Sequence, residues 1–242
     1  MTYMKYLIPA FLALGIVGAF SSIPSSVGPV SESTYDPDAI SKSIVRITNA
    51  LGNAGGTGFA VRAPSDHVVI VTNDHVCKVA VSERVYVRDA SRAVIGRIVK
   101  RNFEHDLCAV DIGPLAPTPL PVATNELSRF SAVFVQGHPL LMPQAPVQGR
   151  VIGRAIETIG FRPDEDGTCP PPSEVRESFF GSVCVLNMEL IATTLQIFPG
   201  NSGSPVLNAQ GEVSGVVNSG DTRTGWGGYI PLPHFKEFMR GL

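Results

Sequence analysis

The sequence lacks an apolar run long enough to span a bilayer as a helix. Its N-terminal run, Leu7 to Phe20, has 14 residues, against the roughly 18 to 20 that spanning requires. It also lacks a charge excess of either sign. With 19 Lys+Arg, 21 Asp+Glu and a net charge of −2, it has neither the basic footprint of a nucleic-acid binder nor the acidic bias of a disordered tail. No CxxC spacing occurs, which removes support for a zinc ribbon or a thioredoxin-like redox motif. No HExxH occurs either, so metal-dependent hydrolysis has no motif behind it, and neither a metal nor a cofactor is expected. No long heptad or amphipathic stretch precedes the C-terminus, so helices are not what builds the core.

What is present is punctuation. There are 24 Gly and 20 Pro along 242 residues that are 44% hydrophobic, a composition that favours many short strands joined by turns. The N-terminus carries one early lysine, the Leu7–Phe20 run and then small polar residues, with Val17-x-Ala19 as a small-residue cleavage site. This pattern predicts a signal peptide over 1–22, a pro or linker segment over 23–39, and a secreted or periplasmic protein. The alternative is an uncleaved anchor, the one case in which a membrane would be a partner. Export would place Cys77, Cys108, Cys169 and Cys184 where disulfides persist. Three pairings are possible.

From Ser43 onward the apolar runs SIVRI, GTGFAV, HVVIVT, RVYV, AVIGRIV and LCAVDI recur, each bounded by Gly, Pro, Asn or Asp. A proline-rich stretch, Gly113 to Pro121, reads as a linker. Six more runs follow: AVFVQG, APVQGRVIG, VCVLNMELIATT, SPVLN, GEVSGVV and GGYIP. The expected architecture is therefore all-β in two similar halves of about six strands, 40–118 and 119–242, each a barrel or a sandwich, because short pleated segments bury one face and closure removes exposed strand edges. The segment Phe161 to Ser182, polar and broken by proline, reads as a surface loop. Phe235, Phe238 and Met239 lie three and four apart on a short C-terminal helix expected to pack on the second half. Cys77 with Cys108 and Cys169 with Cys184 is the favoured pairing, since each pair falls within one half; four separate thiols is the alternative.

The chemistry centres on PGNSGSPV, Pro199 to Val206. A serine hydroxyl is a weak nucleophile unless a histidine takes its proton and a carboxylate orients that histidine. His75 follows the strand HVVIVT; His105 adjoins Asp106 ahead of LCAVDI; His67, His138 and His234 read as strand-start, turn and helix-start residues. The glycines around Ser202 allow a substrate carbonyl to approach the main-chain amides of Gly200 and Ser202, which can form an oxyanion hole. Asn, Gly and Ser are also common turn formers, so a plain turn is the alternative.

In order and context, GGTGFAV, VTNDHV, HDLCAV and PGNSGSPV resemble the segments of the chymotrypsin-like serine peptidases, particularly HtrA-type and glutamyl-endopeptidase-type members. The resemblance implies two six-stranded antiparallel β-barrels at 40–118 and 119–242, with His75 as general base, Asp106 as its orienter, Ser202 as nucleophile and the Gly200 and Ser202 amides as oxyanion donors, acting on a protein or peptide substrate. The order His, Asp, Ser is that of chymotrypsin. Asp111 competes with Asp106 but sits at the far end of its apolar run. Asn201 stands where many digestive relatives carry an aspartate, so activation by a newly cut N-terminus is not expected. The chain is also read as lacking the PDZ domain of HtrA proteins. Gln196, Val217 and Ser219 are the expected pocket residues, and their lack of charge implies an uncharged, small to medium side chain before the scissile bond. A second class of function is a non-catalytic protein-binding module on the same fold.

Overall fold

The computed structural model describes residues 33–161, 167–178, 181–221 and 223–242; the expected leader lies outside them. Six strands form the first sheet: β1 (Ile44–Thr48), β2 (Gly55–Arg62), β3 (Val68–Thr72), β4 (Arg84–Arg88), β5 (Ala93–Asn102) and β6 (Leu107–Asp111). They close in the order β1-β2-β3-β6-β5-β4, with β1 antiparallel to both β2 and β4. This barrel explains why its strands read as unbroken apolar runs. Side chains of one strand alternate in direction, and here both directions are buried. Val45, Ile47, Ala60, Ile70 and Val110 fill the barrel interior. Their chain neighbours Ile44, Phe59, Val61, Val71 and Ala109 face outward into a core shared with the second half.

The second half contains β7 (Ala132–Gly137), β8 (Ala145–Phe161), β9 (Glu174–Ser178), β10 (Gly181–Thr193), β11 (Pro205–Leu207), β12 (Val213–Asp221) and β13 (Trp226–Pro231). Their order is β13-β12-β11-β7-β8-β10-β9, and an added β13–β10 pairing turns six of them into a ring. The two-barrel, all-β expectation therefore holds, with β9 as an addition. The expected loop over Phe161 to Ser182 is in part a strand arm. β8 and β10 pair from Val151 out to Phe161, and Glu174–Val185 and Ser178–Gly181 pair along β9. Polar strands suit this arm because an exposed ladder needs backbone partners rather than a buried face.

Among the described residues three α-helices accompany the sheets, α1 (Pro37–Ser41), α2 (Asp74–Cys77) and α3 (Leu232–Met239), and α3 buries Leu232, Phe235, Phe238 and Met239. It packs on more than the second half. Phe235 meets Phe59 of β2 with ring centroids 6.1 Å apart, and the Lys100 ammonium of β5 donates to the Phe238 carbonyl at 2.5 Å. Full burial of a side chain such as Phe235 contributes about 1.5–3 kcal/mol, so the helix joins the two barrels. The proline-rich connection is likewise bonded to both. Leu120 N–H donates to Ala60 O, while Ala123 and Val213 bond through Ala123 N to Val213 O and Val213 N to Pro121 O.

Disulfides join Cys77 to Cys108 and Cys169 to Cys184. The first closes a 31-residue separation, worth about 3–4 kcal/mol in loop entropy; the second staples the arm. Two disulfides fit an oxidising, extracytoplasmic compartment. Among the described residues no helix is long and apolar enough to cross a membrane.

Candidate active site

The short helix α2 (Asp74–Cys77) begins directly beyond the buried end of β3, so a rigid strand sets its position. Asp74 is buried and paired with Arg101, whose Nε and Nη2 donate at 2.6 and 3.1 Å. His75, the next residue, keeps 44% of its side chain exposed. Across from it, Asp106 sits at the mouth of β6 with φ +49°, a conformation an aspartate tolerates better than most residues. Its carboxylate holds three donors. Oδ1 accepts the His75 backbone N–H at 2.8 Å, and Oδ2 lies 2.6 Å from His75 Nδ1 and accepts from Asn218 Nδ2 at 2.6 Å. A carboxylate at Nδ1 places the imidazole proton there, which leaves the Nε2 lone pair free to accept a proton.

The loop carrying Ser202 is clasped by the first barrel. Thr57 N–H donates to Ser202 O at 2.9 Å, and the Thr57 hydroxyl donates to Gly200 O at 2.8 Å while accepting from His138 N–H at 2.9 Å. This is what the glycines of GGTGFAV are for: a Cβ at Gly56 would stand 2.7 Å from the Ser202 carbonyl oxygen. From the second barrel, Leu140 N–H donates to Pro199 O at 2.5 Å. The Pro199–Gly200 peptide is trans, so anchoring its carbonyl aims the Gly200 N–H the opposite way. Gly200 has φ +94°, and a Cβ there would lie 2.3 Å from His138 O. Asn201, Gly203 and Ser204 donate their amides to Phe198, Val217 and Asn201 carbonyls. Those of Gly200 and Ser202 donate to no acceptor among the described residues. The Ser202 hydroxyl hydrogen-bonds with the Asn218 carbonyl at 3.4 Å, not with His75.

Asp111, the other candidate carboxylate, accepts from Gly113 N–H at 2.7 Å at the opposite end of β6. Asn201 is buried at 1% exposure, with neither amide atom hydrogen-bonded. Of the three expected pocket residues, only Ser219 lines a cavity beside His75. That cavity, about 270 Å³, is also bordered by Phe103, Glu157, Ile159, Leu186 and Met188, so the β8–β10 arm supplies one wall of the cleft. Gln196 is exposed. Val217 is 1% exposed and belongs to the core of the second barrel, a correction to its expected place. The reason is a register shift in β12 between Val217 and Ser219. A bulge re-aims one residue, here Asn218, which points at Asp106 while Val217 stays inside. Ile197 takes up the space instead: a Cβ on Gly220 would lie 2.5 Å from its Cβ, and one on Gly227 2.6 Å from its Cγ1. Ile197 and Asn218 fall within the pocket stretches Gln196–Pro199 and Val217–Gly220 expected from the sequence, but the bond of Asn218 to Asp106 and the clasping role of Thr57 were not foreseen there. An asparagine closing the apolar run VSGVV was the available signal for the first.

His138 follows β7, and its Nδ1 lies 2.9 Å from the Met142 carbonyl, whereas its buried Nε2 has no partner. Burial holds its pKa below the ordinary 6.5 despite the opposing Met142 bond, and Arg46 adds to the lowering. The folded state therefore resists protonation of the ring. As pH falls through 6.5 the unfolded chain takes up a proton that the fold excludes, so stability is present above that value and lost below it. Heating scans are expected to give a lower Tm at about pH 5 than at about pH 7.5, with His138→Asn shrinking the difference. An undiminished difference in that variant would contradict the assignment.

Comparison with known proteins places this geometry. The family model described as "Trypsin-like peptidase domain" matches residues 56–216. The chain is 29% identical over 194 residues to a putative serine protease HhoA of Synechocystis sp., and 30% identical over 192 residues to the mitochondrial serine protease HTRA2 of Bos taurus. Each alignment covers 77% of this chain but only 42% and 36% of those proteins, so the chain spans about two fifths of the relatives it matches. The crystal structure of the active form of the Rv3671c protease from M. tuberculosis superposes with a TM-score of 0.66, covering 93% of each chain at 21% identity. At that identity the likeness is one of fold. Because the family match itself covers more than half the chain and runs through both barrels, taking in His75, Asp106 and Ser202, the chain belongs to the trypsin-like peptidase domain family.

Proposed function

We propose that this protein is an exported serine endopeptidase working through an acyl-enzyme. In this reading Ser202 attacks the scissile carbonyl, His75 takes the hydroxyl proton at Nε2 and later returns it to the leaving amine, and Asp106 fixes the imidazole and stabilises its cationic form. The amides of Gly200 and Ser202 receive the developing oxyanion. Rotation about the Ser202 Cα–Cβ bond delivers its hydroxyl from Asn218 O to His75. The observation that carries the reading is the Asp106 carboxylate, which meets His75 at both its backbone N–H and Nδ1. Ile197, filling the room left by Gly220 and Gly227, supports a shallow apolar pocket and an uncharged, small to medium side chain before the scissile bond.

The Ser202 hydroxyl's bond to Asn218 rather than to His75 favours one second reading, a binding module without catalysis. A fluorophosphonate separates the two. The purified protein is expected to gain a single adduct, mapped to the peptide containing Ser202, and loss of labelling on prior denaturation. A folded protein that stays unlabelled would establish the second reading.

A further inference from the structure

The mechanism above leaves one group of ligating side chains unused. His105, in the turn between β5 and β6, and His234, in the first turn of α3, lie far apart in sequence but stack with ring centroids 4.0 Å apart and planes 22° from parallel. Glu237 stands one turn further along α3. A ligating atom from each of the three lies within 4.8 Å of the others. Both histidines are half-buried, and the His105 imidazole has no hydrogen-bond partner among the described residues. His234 Nε2 is 3.5 Å from Glu189 Oε2, which gives one imidazole the outer carboxylate that commonly fixes the tautomer of a ligating histidine. His105 is also held from behind, its backbone N–H donating to Asn102 Oδ1 at 2.8 Å.

We infer that His105, His234 and Glu237 form a binding site for a borderline divalent transition-metal ion, of which zinc is the probe of choice. Two imidazoles and one carboxylate suit Zn²⁺ rather than Mg²⁺ or Ca²⁺, which prefer all-oxygen sites. With Zn–N bonds of about 2.0–2.1 Å, tetrahedral ligand atoms stand roughly 3.3 Å apart. Closing from 4.8 Å to that spacing requires the three side chains to rotate, with the two imidazoles leaving their stacked arrangement so that the ion lies in the plane of each ring. Three protein ligands leave the fourth position to water. The site would tie the turn that presents Asp106 to the helix that joins the two barrels. Bound to the folded state alone, the ion adds stability in proportion to the logarithm of its concentration over Kd.

Calorimetric titration of the full chain with zinc sulfate is expected to show one site. His105→Gln and His234→Gln should each weaken it by about a hundredfold or more and Glu237→Gln by about tenfold. Zinc should raise the Tm of the unaltered chain and not that of the His234→Gln variant. Cobalt(II) reads the site without any variant, because a tetrahedral imidazole–carboxylate site gives intense, red-shifted visible bands where the octahedral aquo ion absorbs only weakly. Zinc affinity and stoichiometry unchanged in folded His105→Gln/His234→Gln protein, or an octahedral cobalt spectrum, would overturn the inference. Neither readout uses peptidase activity, so it stands or falls apart from the proposed catalysis.

Discussion

Ser202→Ala is expected to lower kcat on a fluorogenic peptide by on the order of 10⁶, with KM little changed and a Tm close to that of the unaltered chain. In the proposed mechanism the Ser202 hydroxyl oxygen forms the acyl bond; alanine removes it, and no neighbouring group replaces it. Ser204 Oγ is the nearest hydroxyl in sequence, but it is buried against Gly137, where a Cβ would lie 2.0 Å from it. The amides of Gly200 and Ser202 survive the change, so some 10³ to 10⁴ of acceleration over water should persist from charge stabilisation and binding. The Ser202 hydroxyl makes one long bond, to Asn218 O, and its loss should cost little stability. Kinetics and melting of one preparation check both halves. Activity within about tenfold of the unaltered chain would remove Ser202 from the mechanism.

Asp106→Asn should cost about 10⁴ in kcat, for a different reason. The asparagine keeps the size of the side chain but replaces one oxygen with an amide that donates. Asp106 now satisfies three donors, two from His75 and one from Asn218; an amide with a single oxygen cannot serve them all. In the proposed mechanism the imidazole would then shift to the tautomer protonated at Nε2, where Ser202 needs a lone pair, and the cation formed during attack would lose its counter-charge. Asn218→Ala removes only one donor to that carboxylate, and a hydrogen bond to a charged group is worth about 1.5–3 kcal/mol. Its expected loss is therefore about ten- to a hundredfold. Ranking the two by kcat on one substrate tests the hierarchy, and an Asn218→Ala loss equal to that of Asp106→Asn would contradict it.

The strands were legible because a strand's burial is written in its own residues. SIVRI, HVVIVT and LCAVDI each became a strand of the first barrel, since β-branched runs without breaks suit positions buried on both faces. Among the described residues of the Phe161–Ser182 segment, expected as a surface loop, only Glu174–Ser178 and the ends that pair with it were misread by the same logic: β9 is held by ladder bonds to β10, and backbone bonds leave no apolar pattern. The order of the motifs was likewise readable. Their partners were less so. Asp106 and Asp111 open and close one short run, and only the fold puts Asp106 at His75 while Asp111 turns to Gly113.

By itself the sequence determined which apolar segments become strands, that the fold is all-β, and which loops hold candidate reactive side chains, because periodicity and turn chemistry act within a few residues. The tertiary structure alone decided that a bulge turns Asn218 onto Asp106, that Val217 stays in the core of the second barrel while Ile197 packs against Gly220 and Gly227, and that α3 brings His234 to His105. Each is a meeting of residues distant in the chain. Such meetings follow from how two barrels share a core and not from any local pattern, since a one-residue slip in β12 suffices to exchange an inward side chain for an outward one.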